Sequence, residues 1–214
     1  MWVSRQVNLM KTCLECGTQA CDYTDLNAPD FCPGEALTEE TIRKVRALYL
    51  EEENLKVSRI SAQVEEDFYC KYTRVEEIVE FARRMGFQKI GIATCVGLIR
   101  ESRTLAKILR KNGFTVVGVA CKVGSFDKAL IGAVPKEADG VGPIMCNPIM
   151  QAELLNSRKT DLNIVMGLCV GHDSLFYKYS NALVTTLVTK DRVLAHNPVG
   201  ALYQAEGYYI KLMK

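Results

Sequence analysis

LNIVMGLCVGHD, residues 162–173, carries no charge before His172, and it gathers a cysteine, a glycine, a histidine and an acid at its end. Such a run reads as a strand buried on both faces, the kind found in parallel sheets covered by helices. Its chemistry sits at the carboxyl end, where open α/β sheets place their ligand sites. Three other strand-like runs end the same way: KIGIATC at Cys95, TVVGVAC at Cys121 and GVGPIMC at Cys146. The pattern predicts a sheet with thiols along one edge.

Working outward, the second half of the chain alternates strand and helix. Strands are expected at residues 89–95, 115–121, 141–146 and 183–188, around the opening run. A helix over 101–111 turns Leu105, Ile108 and Leu109 inward and stops at Gly113. Asn147 caps a helix whose first position is Pro148, and Asn197–Pro198 repeats the device for a helix reaching about Ala205. Another helix is expected over 173–179, and residues 207–214 read as a short last strand or a tail. Residues 122–139 mix loop with a short helix. Before this alternation, residues 37–86 read as helical. Thr38 caps a first helix with Ile42, Val45 and Tyr49 on one face, and a second falls near 58–69. Thr73 and Glu76 form a capping box for a third, which Gly86 ends. The expected fold is α/β: a parallel, Rossmann-like sheet with flanking helices. It is preceded by a cysteine-rich metal knuckle (residues 1–36) and a helical segment packed on the core (37–86), the α/β domain occupying 87–214.

The composition fits a globular chain of this kind. Of 214 residues, 48% are hydrophobic and 24% charged, and the net charge of +2 comes with no Lys/Arg run, which speaks against nucleic-acid or membrane-surface partners. The first ten residues lack the apolar core of a signal peptide, and no stretch approaches the ~18 apolar residues of a membrane span. A cytoplasmic location is the expectation, and there nine cysteines read as ligands or reactive thiols rather than disulfides.

Four of them, Cys13, Cys16, Cys21 and Cys32, lie in a polar, turn-rich segment too poor in aliphatic residues to build its own core. A metal holding four thiolates would give it one. Zinc and an iron–sulfur cluster both accept four cysteines, so either is the expected cofactor. A redox pair at Cys13 and Cys16 is the other reading. Cys70, between two helices, reads as buried filler.

At the sheet edge, neighbouring strands lie about 4.8 Å apart, so thiols at their ends can share one site. Cys95, Cys121, Cys146 and Cys169 are the candidate cofactor-binding set, suited to redox chemistry or to a second site of iron–sulfur type. Cys169 and His172 are the candidate catalytic pair, because a helix starting near Asp173 would favour the Cys169 thiolate. His196 is the other histidine at a helix start. No G-x-G-x-x-G follows the first strand, and no phosphate-binding G-x-x-x-x-G-K-[ST] or G-x-S-x-G elbow occurs.

The four N-terminal cysteines, with ATCVGLIRES, GVACKVG, MCNP, MGLCVGHDSLF and KDRVLAHNPVGALY, resemble an uncharacterised prokaryotic family of predicted metal-binding proteins. The resemblance spans residues 11–214 and implies a four-cysteine metal site with no assigned reaction. MGLCVGHD and GVAC are also similar to strand ends in the α/β domains of hybrid-cluster proteins and nickel carbon monoxide dehydrogenases, where cysteines hold iron–sulfur-based clusters. The glycine–cysteine–asparagine–asparagine element of those enzymes is matched only by Cys146-Asn147-Pro148. Three functions follow as expectations: a metal-binding protein with a thiol-lined redox or cluster crevice, a thiol enzyme using Cys169 and His172, or a zinc-stabilised binding module. A redox partner protein and self-association are the expected partnerships.

Overall fold

Four short apolar runs pair into one parallel sheet in the computed structural model, which describes residues 11–23, 25–133 and 142–214. The strands are β1 (Lys89–Thr94), β2 (Thr115–Ala120), β3 (Leu162–Met166) and β4 (Leu183–Val188), in the order β2-β1-β3-β4. Every pairing is parallel. β1 aligns Thr94 with Ala120 on one side and with Met166 on the other, so all three strands end level. The chain leaves β1 toward β2 and then returns past β1 to form β3. That reversal puts a topological switch point at the carboxyl ends of β1 and β3.

Side-chain alternation splits the sheet between two cores. On one face, Ile90, Ile92, Leu162, Ile164 and Met166 meet Ile78, Val79 and Ala82 of α3 (Arg74–Met85) and Leu105 and Leu109 of α4 (Ile99–Lys111). On the other, Ala93, Val119 and Val165 meet Ala152 and Leu155 of α5 (Pro148–Ser157) and Phe176 of α6 (His172–Tyr179). β3 is buried at all five positions, as its uncharged sequence requires. The α/β class read from the sequence is the observed one. None of the helices among the described residues is long and apolar enough to cross a membrane.

The helix signals are used as written. Thr73 and Glu76 cap α3 reciprocally, and Gly86 closes it in the left-handed region at φ 78°. Asn147 accepts the Met150 N–H at the start of α5, with Pro148 at the first turn. Two further helices precede α3, namely α1 (Glu39–Tyr49), capped by Thr38, and α2 (Glu52–Phe68). The chain divides into two compact units between Arg59 and Ile60, inside α2, rather than at residues 36 and 86. In the second unit α3 packs on the sheet. In the first, α1 buries no residue, and Val45 and Tyr49 of its apolar face are exposed.

Other expectations need correction. Residues 142–146 form no strand: Ile144 makes a single antiparallel bridge to Asp127, since Gly142 and Pro143 break the run, and Val141 lies outside the described residues. Residues 122–139 contain a 3-10 helix, Lys128–Ile131, while 134–139 fall outside the described residues. α7 is short (Val199–Tyr203) and has no side-chain cap from Asn197. The C-terminal end is a 3-10 turn, Ile210–Met213, not a strand. Cys70 is exposed, because it closes α2 in a left-handed turn (φ 56°) that directs it outward. The first ten residues also lie outside the described part.

Candidate functional site

Each strand-end cysteine is held by the backbone of its neighbour. The Cys95 N–H donates to Met166 O (3.0 Å), the Cys121 N–H to Thr94 O (2.8 Å), and the Asn147 N–H to Cys121 O (2.7 Å). The first two continue the β1–β3 and β1–β2 ladders by one residue, and the third ties the start of α5 to the end of β2. From α5, the fully buried Gln151 side-chain amide donates to Thr94 O (3.2 Å) and Val119 O (2.7 Å), which pins both strand ends from above. Cys146 thus reaches the site without the strand that the sequence suggested.

The result is a row of three sulfurs with Cys121 in the middle. Cys121 and Cys146 are in thiol–thiol contact at 3.8 Å, and Cys121 and Cys95 act on each other's ionisation. Cys95 and Cys121 are buried, while Cys146 is half-buried and forms the accessible end. The Val96 N–H points at the Cys121 sulfur from 3.4 Å. Hydrogen bonding with Cys121 draws both end thiols well below the usual thiol range; Lys190 adds to this at Cys95, and Lys122 and His172 add to it at Cys146. The middle thiol is pushed far up, because its two neighbours carry the negative charge and burial adds to the cost.

Cations reach this edge from loops that follow the strands. Lys190, just past β4, is near enough to the Cys95 sulfur to favour its thiolate. Two glycines leave room for it. A Cβ on Gly97 would stand 3.8 Å from the Cys95 sulfur and 4.0 Å from Lys190 Nζ, and one on Gly167 would stand 3.6 Å from Lys190 Cε and 2.2 Å from Leu98 Cδ1. Arg192 donates to the Cys169 sulfur at 3.0 Å. Lys122 is anchored on the Ile144 carbonyl.

The structure sorts the predicted residues into groups. Cys95, Cys121 and Cys146 come together. Cys169 lies at the same edge, in the turn that opens α6, with Arg192 as its side-chain partner. His172 is the first residue of α6; its charge acts on Cys146, and its Nδ1 is buried with no hydrogen-bond partner among the described residues. His196 is a loop pin: its Nδ1 accepts the Asp191 N–H at 3.2 Å. In the first unit, Cys13 opens a 3-10 turn capped by Thr12, Cys13 and Cys21 are exposed, and Cys16 and Cys32 are half-buried. Among the described residues no three His, Cys, Asp or Glu side chains are grouped to hold a metal ion.

Lys190, Arg192, Lys122 and Gln151 were not singled out from the sequence. The available signal was KDR directly after the β4 run, which the carboxyl-edge rule would have placed beside the cysteines.

Residues 32–187, which include all the edge cysteines, match the model of a family described as protein of unknown function (DUF1847). The chain belongs to that family. It is also 47% identical over 199 residues to the uncharacterized protein MJ0455 of Methanocaldococcus jannaschii, covering 93% of this chain and 96% of the relative. The family match starts at Cys32 and so omits Cys13, Cys16 and Cys21, while the relative spans nearly the whole length.

Proposed function

We propose that this crevice is a thiol–disulfide exchange site, with Cys146 as the attacking thiolate and Cys121 as the resolving thiol. The observation that carries the reading is the 3.8 Å contact between an accessible and a buried sulfur at a topological switch point. The attacking group in such exchange is the thiolate, and the neighbouring Cys121 together with the charges of Lys122 and His172 favours it at Cys146.

The Cys146 thiolate attacks one sulfur of a disulfide RS–SR; a Cys146–SR bond forms, the S–S bond breaks, and RS⁻ leaves to take a proton from solvent. This step removes the negative charge at Cys146, one of the two anions that keep Cys121 protonated. Cys121 then loses its proton to Cys95 and attacks the Cys146 sulfur, expelling the second RS⁻. Protein dithiol and RS–SR become protein disulfide and two RSH. Lys190 holds the Cys95 thiolate ready to accept the proton.

Anaerobic treatment of the reduced protein with oxidised glutathione, followed by peptide mapping, tests this. A Cys121–Cys146 disulfide is expected in the native chain. Cys121→Ser should accumulate a mixed disulfide on Cys146, and Cys146→Ser should form neither product. Mapping that finds Cys146 unmodified, or Cys121→Ser releasing the mixed disulfide at the native rate, would sink the proposal.

A further inference from the structure

The cations at this edge outnumber what the thiols use. Lys122, Lys190 and Arg192 form no ion pair with a carboxylate among the described residues. The nearby acids are engaged with their own loops: Asp173 accepts the Ser174 N–H, and Asp191 accepts the Val193 and Leu194 N–H groups. An arginine has five N–H donors and a lysine three, so the contacts to Cys169 and Cys95 leave most of them available.

A second observation is independent of charge. Asn147 is 5% exposed, and its Nδ2 has no hydrogen-bond partner among the described residues. Its Oδ1 is turned to cap α5, which leaves Nδ2 facing the Gly124 turn, where a Cβ would stand 3.6 Å away. A buried N–H donor without an acceptor costs about 1–3 kcal/mol, and the residue before it is the attacking cysteine. An incoming acceptor group beside Cys146 would relieve that cost. His172 Nδ1, also unpartnered, stands at the same end of the row.

We infer that the substrate is a small anionic disulfide, its negative groups received by Lys190 and Arg192 and by the unsatisfied Asn147 amide beside Cys146. The inference rests on the exchange reading and adds to it the charge class of the reactant. Carboxylates flanking an S–S bond supply both parts: acceptor oxygens for the amide and cations, and an electrophilic sulfur for Cys146.

The test compares a dianionic disulfide, 5,5′-dithiobis(2-nitrobenzoate), with neutral 2,2′-dithiodipyridine on the reduced full-length protein, without oxygen. Acid-quenched peptide mapping follows Cys146, and the exposed Cys70 of the same chain is the internal reference. The ratio of anionic to neutral rate at Cys146, divided by that at Cys70, should be about tenfold or more at low ionic strength and fall steeply with added salt. Lys190→Gln/Arg192→Gln should bring it near one. A ratio within about twofold of one in the unaltered protein, or one insensitive to salt, overturns the inference; the salt series needs no variant. If both reagents form the Cys121–Cys146 disulfide without charge preference, only the anion assignment falls. If neither modifies Cys146 faster than Cys70, the exchange reading falls with it.

Discussion

The Cys121 and Cys146 sulfurs lie 3.8 Å apart, close enough that the charge on one governs the ionisation of the other. At Cys146 the neighbouring Cys121 favours the thiolate most, and Lys122 and His172 add to it. A pH profile of Cys146 alkylation by iodoacetamide should show this. Its midpoint is expected well below the ordinary thiol value of about 8.5, with reactivity lost as pH falls through that midpoint, because the thiol form is inert. His172→Ala removes a positive charge and should move the midpoint upward. An unshifted profile in the variant would mean that His172 does not act on Cys146. The cysteines themselves were legible in the sequence, because each ends an apolar run. The effect of His172 on Cys146 was not, since the two lie 26 positions apart and only the fold brings them into electrostatic reach.

Among the elements, α3 shows how closely local chemistry sets a boundary. Thr73 Oγ1 accepts the Glu76 N–H while Glu76 Oε2 accepts the Thr73 N–H at 2.8 Å, and these bonds satisfy donors that the first helical turn leaves open. Thr73→Ala is expected to lower stability by about 1 kcal/mol in urea unfolding, as loss of a cap usually does, without changing Cys146 chemistry. Caps and apolar periodicity made α3, α4, α5 and all four strands readable. The failures share a cause. Residues 141–146 read as a strand on apolar content alone, although Pro143 lacks an N–H and Gly142 weakens a strand. The cationic loop after β4 was unreadable because it is irregular: Ala195 and His196 occupy the left-handed region, and Asp191 serves as its internal acceptor. No period announces such a turn, yet it delivers Lys190 and Arg192.

In the second unit as a whole, the order β2-β1-β3-β4 makes β1 the strand on which everything closes. Its Gly91 faces Asn163 of β3, whose side chain accepts from Thr160 Oγ1 (2.8 Å) and donates to Ser180 Oγ (2.8 Å). A Cβ at Gly91 would stand 2.0 Å from Asn163 Oδ1, so glycine is required by close approach. Gly91→Ala should cost ~1–3 kcal/mol in denaturant unfolding as the amide is pushed from its partners; a neutral result would show that the sheet yields there. The sheet class was legible from the strand–helix alternation, whereas the unit boundary inside α2 was not, because one continuous helix masks it. The tie between β2 and the start of α5 also matters for chain entropy. Cys121 and Cys146 are 25 positions apart, so a bond between them would close a large ring in the unfolded chain and favour folding by about 3 kcal/mol. The same thermodynamic cycle runs in reverse: folding would favour that bond equally, displacing the potential of the pair by roughly 65 mV toward the reducing side. The sheet that brings the two sulfurs together would thereby make the folded dithiol a stronger electron donor than the same dithiol in an unfolded chain.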